Sequence, residues 1–150
     1  MSKEMIAIGG ETKLIIKENV NNVDEFNNLY DAVGWEHYDK EISEIALKNT
    51  MYSVSVYDNE KNIGFGRLIG DEICFIYIQD IMVLPEYQGK KIGTMIMNRL
   101  LAKIEEIKKQ NPDLMVYCGA SKNKEDYYRK FGFITREEFG VGSGMILKDN

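Results

Sequence analysis

The chain contains few cysteine and histidine residues, from which disulfide scaffolds and zinc sites are built. Its 150 residues include two cysteines, one histidine and two prolines. Cys74 and Cys118 lie on predicted strands and have no metal-ligand spacing, so we expect buried free thiols in a reducing compartment and no bound metal. No stretch approaches the run of about 18 apolar residues that a membrane-spanning helix needs.

The N-terminus also lacks the pattern of a secretory signal, because the polar start at residues 1–4 is followed by too short an apolar run. These absences predict a soluble, cytoplasmic protein that does not bind membranes. Positive charge is in deficit as well, with 19 lysine and arginine residues against 24 aspartate and glutamate residues and a pI near 5.0. Such a balance argues against nucleic acid as a partner and favours small or cationic partners.

The length suits one domain, residues 1–150, without repeats or linkers. Apolar periodicity predicts strands over 5–8, 12–17, 52–56, 63–69, 73–83, 114–118, 133–139 and 145–148. It predicts helices over 23–33, 42–47, 92–109 and 123–130. The first two apolar runs, on either side of Gly9-Gly10, form either a hairpin or a leading extension into the first strand. Counted as one element, they give the order β-α-α-β-β-β-α-β-α-β-β. We expect a homodimer, since symmetric dimers are the commonest oligomers of soluble proteins.

The predicted strand over 73–83 is apolar on both faces, which indicates an interior position in the sheet. Strand alternation divides its side chains between two faces, with Tyr77, Gln79, Ile81 and Val83 on one and Ile78, Asp80 and Met82 on the other.

Between this strand and the next helix lies a segment that predicts an anion site, which we call the anion cradle (residues 88–94). A helix N-terminus offers unpaired N–H groups, glycines let an anion approach the backbone, and lysines add charge. The cradle consists of Gln88, Gly89, Lys90, Lys91, Ile92, Gly93 and Thr94. A nucleotide P-loop is excluded, because it needs a glycine five residues before Gly89.

The cradle resembles the pyrophosphate-binding motif of the GNAT superfamily of acetyl-CoA-dependent N-acetyltransferases, Gln/Arg-x-x-Gly-x-Gly/Ala after a strand and before a helix. Gln88 and Gly93 match, whereas Lys91 replaces the first glycine, and we expect this lysine to adopt an ordinary helical φ. The run 128–133 resembles the Tyr-x-Lys-x-Gly-Phe signature that closes the domain. The element order also resembles the family's α/β fold, a mixed, mostly antiparallel sheet flanked by helices.

The resemblance implies transfer of an acetyl group from acetyl-CoA to a primary amine of a small molecule by direct attack in a ternary complex. It implies that backbone groups of Ile81, Met82 and Val83 bind the pantetheine arm and that the cradle binds the pyrophosphate. Asn123 is a further candidate contact, although the family's usual asparagine aligns nearer Ser121. Two alternatives stay open: a protein or peptide acetyltransferase acting on lysine or an N-terminus, and a CoA-binding module without catalysis.

Acyl transfer needs a proton for the leaving thiolate, and the resemblance implies that Tyr128 donates it. The adjacent Tyr127 is an alternative, for which core packing is the favoured interpretation. The general base is left open. Where related enzymes carry the base on this strand, it lies on the face of Tyr77 and Gln79, but these two residues are poor bases near neutral pH. For Asp80, the favoured interpretation is a structural hydrogen-bonding role. His37 is the only histidine, and its position in the polar loop after Trp35 disfavours it as the general base.

The acidic stretch over 24–44 is the main clue to the acceptor. It contains Asp24, Glu25, Asp31, Glu36, Asp39, Glu41 and Glu44 against one lysine, Lys40. This stretch either attracts a cationic amine or is a solvated helix face. Trp35 and Tyr38 either form an aromatic wall for the amine or hold the two helices together. The run 29–35 also resembles a subgroup that includes plant serotonin N-acetyltransferase-like proteins.

Overall fold

The computed structural model describes residues 3–8 and 12–149, which form two compact units, one up to Cys118 and one from Gly119 onward. The first unit contains β1 (Lys3–Ile8), β2 (Thr12–Glu18), α1 (Val23–Ala32), α2 (Lys40–Lys48), β3 (Tyr52–Asp58), β4 (Lys61–Gly70), β5 (Phe75–Val83), a 3-10 turn (Pro85–Tyr87), α3 (Ile92–Lys108) and β6 (Met115–Cys118). The second unit contains α4 (Glu125–Arg129).

The strands of the first unit form one sheet in the order β1-β2-β3-β4-β5-β6. Each neighbouring pair is antiparallel except β5 and β6, which are parallel. The mixed, mostly antiparallel sheet flanked by helices confirms the predicted fold class, and β5 is interior as predicted. The predicted turn at Gly9-Gly10 lies outside the described residues.

Local signals explain where α1 begins and ends. The Asn22 side chain accepts a hydrogen bond from the Glu25 N–H at 3.0 Å, which satisfies one of the free donors of the first turn. Gly34 follows the helix with a φ of +81°, a conformation that glycine adopts without steric cost. In α2 the N-cap position is taken by Asp39, which makes no side-chain capping bond.

The long helix α3 covers one face of the sheet. Its fully buried side chains are Ile92, Ile96, Met97, Leu100 and Ile104. These residues recur at helical spacing on one side of the helix, whereas Met95 and Ile107 are half-buried. Gly66 of β4 permits the close approach, since a Cβ there would lie 2.6 Å from the Cγ2 of Ile96 and from the Cδ1 of Ile81.

The opposite face of the sheet packs against α1. Phe26, Leu29 and Tyr30 are buried in that helix. The Phe26 ring meets the Phe65 ring of β4 edge-on, with 5.4 Å between ring centroids. The sheet is therefore covered on both faces, and β4 and β5 lie between α1 and α3.

The second unit differs from the sequence prediction. No strand forms over 133–139 or 145–148, and the helix predicted over 123–130 shortens to α4. The Thr135 hydroxyl accepts from the Glu138 N–H at 3.2 Å, and the Glu138 carboxylate accepts from the Thr135 N–H at 2.7 Å. These local bonds satisfy backbone groups that a strand would need, so a turn forms instead. The last apolar run stays exposed, with Met145, Ile146 and Leu147 at 94%, 95% and 92%.

The cysteines are less buried than predicted. Cys74 precedes β5 and is exposed, because it lies in the turn that the Asp71 carboxylate organises. Cys118, the last residue of β6, is half-buried, and its burial raises the pKa of the thiol to about 11. Within residues 3–8 and 12–149, no helix combines the length and the apolar character needed to cross a membrane.

The packing of α3 gives a direct test of this core. We expect Leu100→Ala to lower the free energy of unfolding by about 2–5 kcal/mol, because it removes buried methyl groups opposite Gly66 and leaves a cavity. The matched control is Leu101→Ala on the same helix, where the side chain is half-buried and the expected loss is less than half as large. Urea denaturation measures both, and equal losses would contradict this placement of α3.

Candidate functional site

The anion cradle contains two residues in the left-handed conformation. Gly89 has a φ of +76° and Lys91, at the N-cap of α3, has a φ of +65°. The expectation that Lys91 keeps an ordinary helical φ is therefore wrong. The chain must turn sharply between the 3-10 turn and α3, and the lysine takes this conformation at a cost of about 1–2 kcal/mol.

The first turn of α3 contains backbone donors that have no partner within the helix. The first helical hydrogen bond runs from the Met95 N–H to the Lys91 carbonyl at 3.0 Å, so the N–H groups of Ile92, Gly93 and Thr94 come before it. In α3, which the structure describes in full, the first turn carries no acidic residue. Around Gly89, no described atom outside the two neighbouring residues lies within 4 Å of where a Cβ would be. The cradle thus combines free donors, a positive dipole end and open space, which suits an anion.

Cations from two parts of the chain border the cradle. The Nζ of Lys90 lies 5.2 Å from the Tyr87 ring centroid, and the Nζ of Lys61 lies 5.7 Å from the same centroid. Tyr87 is itself fixed, because its hydroxyl donates to Asp58 at 2.6 Å, and Lys61 also pairs with Glu86 at 3.1 Å. Sequence reasoning missed Lys61, since nothing in its own segment shows that the β3–β4 turn folds onto this helix end.

Gln88 ties the cradle to β5. Its side-chain Nε2 donates to the Val83 carbonyl at 3.1 Å. Val83 lies between Met82, which pairs with Phe65, and Leu84, whose N–H donates to Ile63 at 2.9 Å. Along an antiparallel strand, the N–H and C=O groups of successive residues point alternately toward and away from the neighbouring strand, so those of Val83 face away from β4. The predicted cofactor residue Gln88 thus acts here through its side chain as a brace for the strand end.

The edge of β5 opposite β4 is open next to the cradle. β6 pairs with β5 only from Phe75 to Ile78, and its last residue, Cys118, lies opposite Ile78. From Gln79 to Val83, β5 has no second strand partner in the part of the chain that the structure describes. Ile81, Met82 and Val83, the predicted pantetheine residues, all lie in this open stretch.

A β-bulge interrupts β5 in the same stretch. The register with β4 shifts between Phe65 and Arg67, so that Asp80 and Ile81 together oppose Gly66, and Asp80 has a φ of +56°. The inserted residue reverses the side-chain alternation beyond it.

The predicted division of β5 side chains is therefore wrong beyond the bulge. Asp80 shares the face of Gln79, whose Nε2 donates to the Asp80 Oδ1 at 3.2 Å. Ile81 turns to the α3 face, where its Cδ1 lies near Gly66 and Ile96. Met82 and Val83 change faces in the same way, because they pair with Phe65 and Gly64.

Asp80 is held by two further partners. It accepts from the Tyr30 hydroxyl at 2.5 Å and from the Arg67 Nε at 2.7 Å. The Asp80 side chain is 0% exposed and that of Arg67 is 10% exposed. The Arg67 Nη1 also donates to the Ala46 carbonyl and to the Thr50 hydroxyl, each at 3.0 Å. These contacts agree with the predicted hydrogen-bonding role of Asp80. Burial, and then the bond to Asp80, raise the pKa of Tyr30.

Aromatic side chains from the α1–α2 connection surround Tyr30. The rings of Trp35 and Tyr38 meet it edge-on, with centroids 5.4 Å and 6.1 Å away. Both stay partly open to solvent, at 38% and 55% exposure. The same two residues therefore brace Tyr30 and offer an aromatic surface. His37 bonds Asp31 at 2.7 Å, and this bond raises the pKa of the imidazole.

The second unit carries the remaining candidates. Tyr128 lies on α4, with its ring centroid 5.2 Å from that of Tyr127 and 6.0 Å from that of Phe133. The Tyr127 hydroxyl is buried and has no hydrogen-bond partner among the described residues, and its burial raises its pKa. Asn123 lies in the turn before α4 with a φ of +66°, and there the Ser121 carbonyl accepts from the Lys124 N–H at 2.9 Å.

Within residues 3–8 and 12–149, no group of three or more His, Cys, Asp or Glu side chains is placed to hold a metal ion.

Known proteins share both the sequence and the fold of this chain. An uncharacterized N-acetyltransferase, ycf52, of Pyropia yezoensis is 28% identical over 126 residues, which is 81% of this chain and 70% of that protein. The GCN5-related N-acetyltransferase 1, chloroplastic, of Arabidopsis thaliana is 27% identical and covers 85% of this chain, which spans 64% of that protein. A solved structure from meticillin-resistant Staphylococcus aureus, described as a probable acetyltransferase, is 28% identical with a TM-score of 0.80, covering 91% of this chain and 99% of that one.

The family model of the acetyltransferase (GNAT) domain matches residues 14–147, nearly the whole chain. The resemblance of residues 29–35 to the serotonin N-acetyltransferase-like subgroup stays a prediction. The fold, the cradle at the start of α3 and this match lead to one conclusion: the chain belongs to the GNAT family of acetyltransferases.

Proposed function

We propose that this protein transfers the acetyl group of acetyl-CoA to the primary amine of a small, cationic molecule, with both substrates bound at once. The observation that carries the proposal is the continuity between the open edge of β5 and the anion cradle. A long ligand with a phosphate group at one end needs such a combination of an extended backbone edge and a helix N-terminus.

The residues present fit acetyl-CoA. The N–H groups of Ile92, Gly93 and Thr94 would hold the pyrophosphate, with Lys90 and Lys91 supplying charge. The backbone of Ile81 to Val83 would bind the amide groups of the pantetheine arm as an added strand would. Bound acetyl-CoA supplies an activated thioester, which the amine cleaves by forming a C–N bond as the C–S bond breaks.

The chain's own contribution to the chemistry is to orient and to move protons. In the proposal, Tyr128 donates a proton to the departing thiolate. The base that takes the proton from the amine is left unassigned. Asp80 is engaged by Tyr30 and Arg67 and does not offer a free carboxylate for that role.

The proposed acceptor site lies by the α1–α2 connection. The exposed rings of Trp35 and Tyr38 would contact the carbon skeleton of the amine. The acidic residues of the stretch over 24–44 would attract its positive charge, although Asp24 is engaged by Lys40 at 3.0 Å. A cytoplasmic location and a homodimer complete the proposal; the name of the Arabidopsis relative places that protein in the chloroplast.

A turnover assay tests the proposal. Release of free CoA is measured with polyamines, arylalkylamines, amino acids and lysine-containing peptides as acceptors, and CoA binding is measured by calorimetry and by the shift in melting temperature. We expect CoA to raise the melting temperature and small cationic amines to give the fastest release. Release with peptides only would instead assign a peptide acetyltransferase, and binding without release would assign a CoA-binding module.

The unusual residue of the cradle can be tested separately. We expect Lys91→Gly to keep the dissociation constant for CoA within about tenfold, equal to about 1.4 kcal/mol, because glycine adopts the left-handed φ more easily while one charge is lost. Lys109→Gly, at the other end of α3, is the matched control. Calorimetry measures both, and a much larger loss for Lys91→Gly would show that the lysine is itself a ligand.

The proton donor has its own test. We expect Tyr128→Phe to lower kcat about 100-fold or more and to leave CoA affinity nearly unchanged, because the hydroxyl acts on the leaving group. Tyr127→Phe is the comparison on the same helix, and it removes a hydroxyl that lacks a partner among the described residues. Full turnover by Tyr128→Phe in steady-state kinetics would remove this residue from the mechanism.

A further inference from the structure

Asp80 is unusual among the residues with a positive φ. The described non-glycine residues of this kind are Asn19, Asn59, Glu72, Asp80, Lys91 and Asn123. Among them Asp80 alone lies inside a strand, and it is also the only buried one, at 5% exposure. A left-handed residue in a strand is strained and persists only where its surroundings fix it.

The surroundings of Asp80 come from three elements. Tyr30 of α1 and Gln79 of β5 donate to Oδ1, and Arg67 of β4 donates to Oδ2. Both carboxylate oxygens are therefore in use. Arg67 is anchored in turn by the Ala46 carbonyl of α2 and by Thr50. We call Asp80, Arg67 and Tyr30 the bulge network.

The bulge decides where the next three backbone units lie. Ile81, Met82 and Val83 follow it directly, and they form the open edge that ends at the cradle. Without the inserted residue, these units would move along the strand and exchange faces. The distance from the open edge to the free N–H groups of α3 therefore depends on the bulge.

We propose that the bulge network is a positioning device for catalysis, in which Arg67 and Tyr30 hold Asp80 so that the backbone of Ile81 to Val83 aligns the thioester end of acetyl-CoA. Asp80 acts through the backbone and takes no proton from the amine. This inference rests on the proposed function, since it assigns the open edge of β5 to the cofactor. Side chains remote from the cradle thus control turnover more than binding.

The kinetic test uses Tyr30→Phe, which removes one hydroxyl and keeps the ring. We expect kcat to fall about tenfold or more, since small misplacements of a reacting group are costly, while the dissociation constant for CoA stays within about threefold because the cradle is intact. Tyr52→Phe is the matched control, because it removes an equally short bond, from the Tyr52 hydroxyl to Glu18 at 2.5 Å, away from β5. Equal kcat values for the two variants would overturn the inference.

A second variant separates positioning from proton transfer. Asp80→Asn keeps the shape of the side chain but replaces one acceptor oxygen with an NH2 donor, so the side chain cannot accept from Arg67 while its remaining oxygen accepts from Tyr30. We expect a lower kcat and a pH profile of kcat/KM with the same limbs as the wild type. Loss of the acidic limb would overturn the inference and make Asp80 the base. If Asp80→Asn fails to fold, Tyr30→Phe alone decides.

Hydrogen–deuterium exchange distinguishes failure of this inference from failure of the proposed function. If the wild type binds CoA and releases no thiol with any amine, the proposed transfer fails, and exchange in the peptide over 79–83 decides the positioning role. Faster exchange in CoA-bound Tyr30→Phe than in CoA-bound Tyr52→Phe supports it. Equal exchange overturns it.

Discussion

Arg67 and Asp80 bring opposite charges together, almost out of contact with water, where α1, α2, β4 and β5 meet. Removing two such charges from water costs several kcal/mol for each ion, and their attraction offsets that cost only when the geometry is good and the remaining polar atoms are bonded. Here Tyr30, Ala46 and Thr50 provide the additional bonds. The pair therefore constrains how two helices seat on the sheet, because a shift of either would leave a buried charge unsatisfied.

This constraint connects the helical layer to the irregular part of β5. One side of the pair fixes Tyr30, whose ring supports Trp35 and Tyr38. The other side fixes Asp80 in the bulge, beyond which the strand runs to Val83 and the cradle. The positions of the aromatic surface and of the cradle thus both depend on the same buried pair.

Sequence patterns predicted what repeats regularly and missed what depends on a single residue. The helix α3 and the strands β3 to β5 were predicted because each repeats its apolar period over several turns or residues. The bulge in β5 could not be predicted, since a period-two pattern contains no sign of an inserted residue. Its only trace is Asp80, a charged residue in an otherwise apolar stretch. The left-handed Lys91 escaped prediction for a similar reason, because propensity assigns lysine to a helix.

In the second unit, a regular sequence pattern predicted a strand that does not form. The residues over 133–139 have the composition of a strand, but a strand needs a neighbour, whereas Thr135 and Glu138 satisfy each other's backbone locally. In the site, the cradle was predicted because all its residues are contiguous. Lys61 and Tyr30 belong to the site only through folding, so sequence reasoning had no means to include them.

The half-buried Cys118 stands opposite Ile78, where β6 stops pairing with β5. An enzyme that binds acetyl-CoA, as proposed for this protein, must keep its own sulfur atoms from capturing the acetyl group. With a pKa of about 11, that thiol is ionised to only about one part in ten thousand near neutral pH, against a few per cent for an ordinary cysteine. Burial at the fork of the two strands thus keeps this thiol in its neutral, weakly nucleophilic form.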